Sequence, residues 1–201
     1  MIESTINLDH LEWPDTGWGY LPPSDSVFKM LKDINTIYNP QNVLEIGYHM
    51  GHSTTYMLEC FPQASVMSIA PEKDVKIKDD GWISTERRLA MAKKMAEVYD
   101  DRWTWLKGRT GQVFDPLVDG YTGKFDLALV DGQHAYKFAK KDINLCKALQ
   151  VPVILVDNID RKDVLKAVED AGGYKLIQSY SYTDNWKGKP TPTEIGLYYL
   201  L

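Results

Sequence analysis

Short apolar runs alternate with stretches of helical periodicity, and this alternation most narrows what the chain can fold into. Leu127–Val130 and Val153–Val156 are apolar throughout, as strands buried on both faces of a parallel sheet are. Five strands are predicted in sequence, at Asn42–Ile46, Ser65–Ile69, Arg102–Leu106, Phe125–Val130 and Pro152–Val156. The helical patterns lie at Ser26–Tyr38, Ser53–Cys60, Ser84–Asp100, Tyr136–Leu149 and Arg161–Ala171.

The C-terminal part follows a different pattern. Two strand-like runs, Tyr174–Tyr182 and Glu194–Leu201, are joined by the predicted loop Thr183–Thr193, with no helical pattern between them. Strands joined without a crossover pair antiparallel. We therefore predict an α/β fold with a doubly wound, mostly parallel sheet of seven strands whose last strand is antiparallel. Residues 1–201 are expected to form one domain, with the Pro- and Gly-rich residues 1–25 as an N-terminal extension or lid.

Composition narrows the function classes. A net charge of −5 disfavours a nucleic-acid binder, and no apolar run approaches the roughly 20 residues of a membrane span. The first residues lack the pattern of a signal peptide, and the two cysteines have no metal-site spacing. We expect a cytoplasmic protein acting on a small molecule, without nucleic-acid or membrane partners. The oligomeric state stays open.

The segment after the first strand carries two glycines, in the string EIGYHMGHS over residues 45–53. Gly47 and Gly51 allow a tight turn and close approach of a ligand to the backbone. The helix that begins near Ser53 offers free N–H groups to a carboxylate or phosphate. The spacing is not that of dinucleotide or nucleoside triphosphate loops. The segment is either a ligand loop or a plain strand-to-helix turn.

Acidic residues follow the fourth and fifth strands, where ligands of such sheets bind. Asp131 opens the string DGQHAY, and Asp157 is followed by Asn158. Carboxylate and amide oxygens suit a hard divalent cation, although Asp also caps turns. His134 is either a general base near neutral pH or a residue that packs the turn before the next helix.

The string EIGYHMGHS resembles the first motif of class I S-adenosylmethionine methyltransferases, and is most similar to the catechol and caffeoyl-coenzyme A O-methyltransferase branch. The string DGQHAY is similar to a wider group of methyltransferases with an Asp-Gly-x-His-x-Tyr signature. The resemblance covers about residues 26–201 and implies a Rossmann-like methyltransferase fold. It also implies S-adenosylmethionine as cofactor, with Mg²⁺ or another divalent cation as an optional second one.

The resemblance implies particular site residues. At the cofactor it places Glu45, Gly47, His49, Gly51, Ser53 and Asp131. At the metal it places Asp131, Asp157 and Asn158, and it puts His134 where the family carries its general base, typically a lysine.

The sequence departs from the family at the end of the second strand. Ala70 stands where an acidic residue is expected to accept hydrogen bonds from the ribose hydroxyls, so Glu72 becomes the candidate. The charged stretch Pro71–Gly81 is interpreted as a solvated loop. After the third strand, Thr110 and Gln112 either contact adenine or cap the helix that leads to Phe114.

These features predict an S-adenosylmethionine-dependent O-methyltransferase for a small hydroxylated acceptor, either metal-assisted or with His134 as sole base. The alternative is a catalytically inactive binding or scaffolding module of the same fold. Aromatic side chains are candidates for the walls of an acceptor pocket, although Trp13 and Trp18 could instead only pin the N-terminus to the sheet. The candidates are Trp13, Trp18, Tyr20, Tyr180, Tyr182 and Trp186.

Overall fold

The computed structural model describes residues 24–72, 75–77, 81–83, 85–186 and 189–201. Its helices are α1 (Asp25–Tyr38), α2 (His52–Cys60), α3 (Thr85–Tyr99), α4 (Thr110–Tyr121), α5 (Tyr136–Ala148) and α6 (Lys162–Ala171). Its strands are β1 (Asn42–Ile46), β2 (Ser65–Ala70), β3 (Val75–Ile77), β4 (Gly81–Ile83), β5 (Trp103–Lys107), β6 (Leu127–Val130), β7 (Val153–Asp157), β8 (Tyr174–Trp186) and β9 (Lys189–Leu200).

Seven strands form one sheet in the order β5-β2-β1-β6-β7-β9-β8. The pairs from β5 to β7 are parallel, whereas β9 pairs antiparallel with both β7 and β8. This confirms the predicted doubly wound sheet with its antiparallel last strand. The chain leaves β1 toward β2 on one side and returns to β6 on the other, so the carboxyl ends of β1 and β6 flank the crevice where such sheets bind ligands.

Both faces of the sheet are covered by helices. On one face α1, α2 and α3 contribute Val27, Met57 and Met95 to a core that also holds Val43. On the other face α4, α5 and α6 contribute Leu117, Ile143 and Val168 to a second core. Burial on both faces explains why β6 and β7 read as continuous apolar runs.

The predicted bounds of most elements differ from the structure by one or two residues. The third predicted strand begins at Trp103 and not at Arg102, which ends a short 3-10 turn. There its guanidinium donates hydrogen bonds to the carbonyl oxygens of Leu58, Phe61 and Ala64.

Two segments predicted as loops contain strands, and those predictions were wrong. The stretch Thr183–Thr193 is mostly strand, because β8 and β9 stay paired from Tyr182–Thr193 to Trp186–Lys189. Within Pro71–Gly81 the chain forms β3, which pairs antiparallel with β4. Both segments are rich in polar residues and contain proline, so they lack the continuous apolar run by which the buried strands were predicted. A hairpin at an edge does not need such a run.

The N-terminal extension and its aromatic residues, Trp13, Trp18 and Tyr20, lie outside the described residues, as does the side chain of Trp186. Among the helices described above, none is both long and apolar enough to cross a bilayer.

Candidate functional site

The loop after β1 is pressed against the end of β6. Gly47 has a φ of +121°, and a Cβ there would overlap the carbonyl group of Asp131. The backbone N–H of Asp131 donates to the oxygen of Ile46 over 2.9 Å, and that of Gly47 donates to the oxygen of Ile69 over 3.0 Å. The contact between strand ends therefore requires a glycine at position 47, whether or not a ligand approaches it.

Glu45 lies at the base of this loop and is fully buried. Its carboxyl oxygens accept hydrogen bonds from the hydroxyl groups of Ser53 and Thr54 in the first turn of α2. Burial raises the pKa of Glu45, while the hydrogen bonds of Ser53 and Thr54 oppose that shift. The predicted residues Glu45 and Ser53 are thus in direct contact, and their hydrogen bond links β1 to α2.

Arg88 holds the loop from the side of α3, and it was not singled out in the sequence. Its side chain is only 2% exposed, and its guanidinium donates to the carbonyl oxygens of Tyr48, His49 and Pro71. Burial lowers the pKa of Arg88, which nevertheless stays charged. The helical periodicity of α3 could have indicated that Arg88 is buried, because Arg88 lies on the same face of the helix as Met91.

The two histidines of the loop are uncharged at neutral pH. Burial lowers the pKa of His49 to about 4 and that of His52 to about 4, and the positive charge of Arg88 adds to the shift at His49. His52 is buried in the first turn of α2. The glycine loop therefore gains no positive charge from its histidines.

At the end of β2, Ala70 makes its hydrogen bonds through its backbone, and the first acidic residue after it is Glu72. The carbonyl oxygen of Ala70 accepts from the indole N–H of Trp105 over 3.1 Å and from the backbone of Gly108 over 2.9 Å. Glu72 forms an exposed ion pair of 2.6 Å with Lys107. Lys107 contacts Oε1 of Glu72, so the other carboxylate oxygen can still accept a hydrogen bond from a ligand.

Thr110 and Gln112 both make internal hydrogen bonds at the start of α4. The side-chain oxygen of Gln112 accepts from the backbone N–H of Arg109 over 2.8 Å, which caps the helix. The hydroxyl of Thr110 donates to Asp142 on α5, a buried carboxyl whose pKa is raised to about 6 by burial. Sequence reasoning did not single out Asp142, which ties the loop after β5 to α5.

Three titratable groups meet at the carboxyl ends of β6 and β7. One potential ligand atom from each of Asp131, His134 and Asp157 lies within 4.8 Å of the others. Asp157 is 6% exposed, and burial, with the negative charge of Asp131 as the second cause, raises its pKa well above its ordinary value. The hydroxyl of Tyr182 donates to Oδ1 of Asp157 over 2.6 Å.

Arg161 and Asp131 lie on opposite sides of the His134 ring. Nδ1 contacts the guanidinium of Arg161, and Nε2 lies 3.5 Å from Oδ1 of Asp131. Because Arg161 can only donate, Nδ1 must accept, so the neutral ring carries its proton on Nε2. Burial lowers the pKa of His134, although the negative charge of Asp157 opposes the shift. His134 also lines an open pocket of about 390 Å³, together with Ala135, Arg161, Lys162 and Asp163.

The donor set at this edge fits a hard divalent cation. Two carboxylates in a partly dry site repel each other, and a cation between them relieves that repulsion. Asn158 follows Asp157 in a left-handed turn with a φ of 56°, and its carbonyl accepts from the backbone of Arg161. His134 fits less well as a ligand, since its proton-bearing Nε2 is the atom that faces Asp131.

The sequence profile of the family described as a methyltransferase domain matches residues 44–159, from the glycine loop to the end of the Asp157 turn. The match spans more than half of the chain, which belongs to this family of class I S-adenosylmethionine-dependent methyltransferases. This confirms the resemblance seen in the strings EIGYHMGHS and DGQHAY. Nothing in the comparisons supports the alternative of an inactive module of the same fold.

Solved structures with bound cofactor share the fold. An O-methyltransferase from Bacillus cereus in complex with S-adenosylhomocysteine is 14% identical, with a TM-score of 0.60 over 88% of this chain and 81% of that one. The O-methyltransferase TomG from Streptomyces achromogenes, involved in tomaymycin synthesis and solved with S-adenosylmethionine, is 16% identical, with a TM-score of 0.60 over 88% and 80%.

A proposed caffeoyl-CoA O-methyltransferase from Staphylococcus aureus is 17% identical, with a TM-score of 0.54 over 87% of this chain and 83% of that one. At such identities the likeness shows the fold alone. No curated protein matches the sequence significantly.

Proposed function

We propose that the protein transfers the methyl group of S-adenosylmethionine to a hydroxyl of a small acceptor, with a divalent cation between Asp131 and Asp157. The observation that carries the proposal is this carboxylate pair, which lies at the crevice of the sheet directly beside the glycine loop. Several proteins of the same fold are named O-methyltransferases, which agrees with a hydroxyl as acceptor.

The cofactor is proposed to lie along the loop after β1 and the N-terminus of α2. Backbone N–H groups there suit the carboxylate of its methionine part. The residues proposed to line or shape this site are Glu45, Gly47, His49, Gly51, Ser53, Glu72, Thr110, Gln112 and Asp131. Glu45 is fully buried, so it is proposed to shape the site indirectly, by accepting hydrogen bonds from Ser53 and Thr54. Glu72 would accept from the ribose hydroxyls through the carboxylate oxygen that Lys107 does not contact.

Asp131, Asp157 and Asn158 are proposed as the protein ligands of the cation. A divalent cation bound there would lower the pKa of the acceptor's hydroxyl group and orient it for attack on the methyl group. Asp157 would bind the cation as a carboxylate, the form that burial disfavours and that the cation would stabilise. The chain's main contribution to the rate is alignment of acceptor and methyl group.

His134 is proposed as the general base. In the structure described above, Nδ1 is its only proton-free ring nitrogen, and Arg161 occupies it. His134 can therefore take the hydroxyl proton at Nδ1 once Arg161 turns aside. The pocket beside both residues offers a place for the acceptor.

Calorimetric titration with S-adenosylhomocysteine and with MnCl₂ tests the proposal, combined with S-adenosylhomocysteine production over a panel of phenols and sugars. We expect cofactor binding in the micromolar range and turnover that is lost with EDTA. Asp157→Ala should lose Mn²⁺ binding, whereas Asp119→Ala, on the exposed side of α4, should bind as wild type does.

Turnover that survives EDTA and falls with His134→Ala would instead favour the metal-free mechanism with His134 as sole base. An absence of heat at millimolar S-adenosylhomocysteine would contradict the proposed cofactor site.

A further inference from the structure

Tyr182 reaches Asp157 from two strands away. In the sheet β9 lies between β7 and β8, with Asp157 paired to Ile195 and Tyr182 paired to Thr193. The ring of Tyr182 is 7% exposed and packs in the core on the α1 side of the sheet. Its hydroxyl crosses β9 and donates to Oδ1 of Asp157 over 2.6 Å. A phenol expected to wall the acceptor pocket thus lies within the protein.

The chemistry of this contact suits an outer partner of a metal ligand. A phenol hydroxyl is a neutral donor near pH 7, since its ordinary pKa is about 10. It can fix the orientation of a carboxylate without cancelling the charge that attracts a cation, as a lysine or arginine in its place would. A carboxylate has about four lone-pair sites, so the hydrogen bonds that Asp157 accepts from Tyr182 and from the backbone of Asn158 leave others for a cation.

We infer that Tyr182 is a positioning residue for the cation site, and that it holds the Asp157 carboxylate in the orientation that binds a divalent ion. The inference rests on the proposed function, because it needs a cation between Asp131 and Asp157. Removal of such outer hydrogen-bond partners typically costs about 10–100-fold in metal affinity.

The test compares two variants that each lose one phenol oxygen from β8. Tyr182→Phe should weaken Mn²⁺ binding by about 10–100-fold in calorimetric titration of the full chain without cofactor. Tyr180→Phe is the matched control, because Tyr180 lies two residues earlier and its surroundings include Asp33 and Lys29 of α1. Its Mn²⁺ affinity should equal that of wild type.

Equal Mn²⁺ affinity of wild type and Tyr182→Phe would overturn the role of Tyr182 and leave the cation site intact. A wild-type protein that binds no Mn²⁺ would instead overturn the cation site itself, and with it the inference.

A measurement on the wild-type protein guards against a variant that does not fold. Proton NMR should show a slowly exchanging hydroxyl resonance, assigned to Tyr182 by its contacts to the ring protons, which shifts as MgCl₂ is added. A Tyr182 hydroxyl signal that stays unchanged at saturating Mg²⁺ would contradict the proposed positioning role.

Discussion

Gly47 is required by the packing of the strand ends, independently of any ligand. The resemblance assigns it to the cofactor loop, yet the structure shows that backbone contact with Asp131 already excludes any side chain there. A substitution at Gly47 would therefore disturb the carboxyl end of β6, including Asp131, before any ligand binds.

Gly47→Ala should lower the free energy of unfolding by roughly 3 kcal/mol or more. An alanine there is strained at the positive φ, and its Cβ overlaps a packed backbone. Gly123→Ala is the control, because Gly123 also has a positive φ, of +72°, but no atom lies within 4 Å of its added Cβ. Gly123→Ala should lower the free energy of unfolding by only about 1–2 kcal/mol. Urea unfolding of both variants measures the two losses of stability. Equal losses would show that the backbone at Asp131 moves away from the added Cβ at little energetic cost.

Sequence reasoning singled out candidate site residues that lie in local motifs, and the structure brings several of them into contact. Glu45 and Ser53 belong to one string, and Asp131 and His134 to another. It did not find Arg88 and Arg161, nor the hydrogen bond from Tyr182 to Asp157, because each contacts its partner from an element that is distant along the chain. Side-chain reach across strands depends on sheet order, and that order is not visible in a single motif.

At the scale of elements, the hydrogen bond between Thr110 and Asp142 joins α4 to α5. Both groups are buried, so loss of either partner leaves a polar group without compensation. This bond holds the start of α4, where Thr110 and Gln112 are proposed to line the cofactor site, against α5.

A double-mutant cycle with Thr110→Val and Asp142→Ala, each of which removes the hydrogen bond, should give a coupling energy of about 1–2 kcal/mol. Each variant is unfolded in urea near pH 7, at which most of the Asp142 carboxyl is ionised given its pKa of about 6. Additive effects of the two substitutions would show that the bond contributes nothing to stability.

For the whole molecule, buried titratable groups couple stability to pH in opposite directions. Asp142 and Asp157 have raised pKa values, so they favour the folded state as pH falls. His49 and His52 have pKa values lowered to about 4, so the unfolded chain takes up their protons first. Their contribution is complete above about pH 6.5 and is lost as pH falls toward 4.

His52→Gln should remove part of this acid sensitivity. The full shift from 6.5 to about 4 corresponds to an upper limit on the order of 3 kcal/mol between pH 7 and pH 4. Urea unfolding at several pH values compares the slopes of wild type and variant. The carboxyl groups act in both proteins, so the difference between the curves isolates His52, and parallel curves would contradict the assigned shift.

The sequence by itself determined the sheet and its helices, since burial on both faces dictates the apolar runs of β6 and β7 and local strings mark the loops after them. Only the tertiary structure decided how these loops are held. The order of the strands places Tyr182 beside Asp157, and the packing of α3 and α6 places Arg88 and Arg161 at their partners. The pattern of apolar residues indicates which positions are buried. Which side chains contact each other across the chain depends on how the helices and strands pack together.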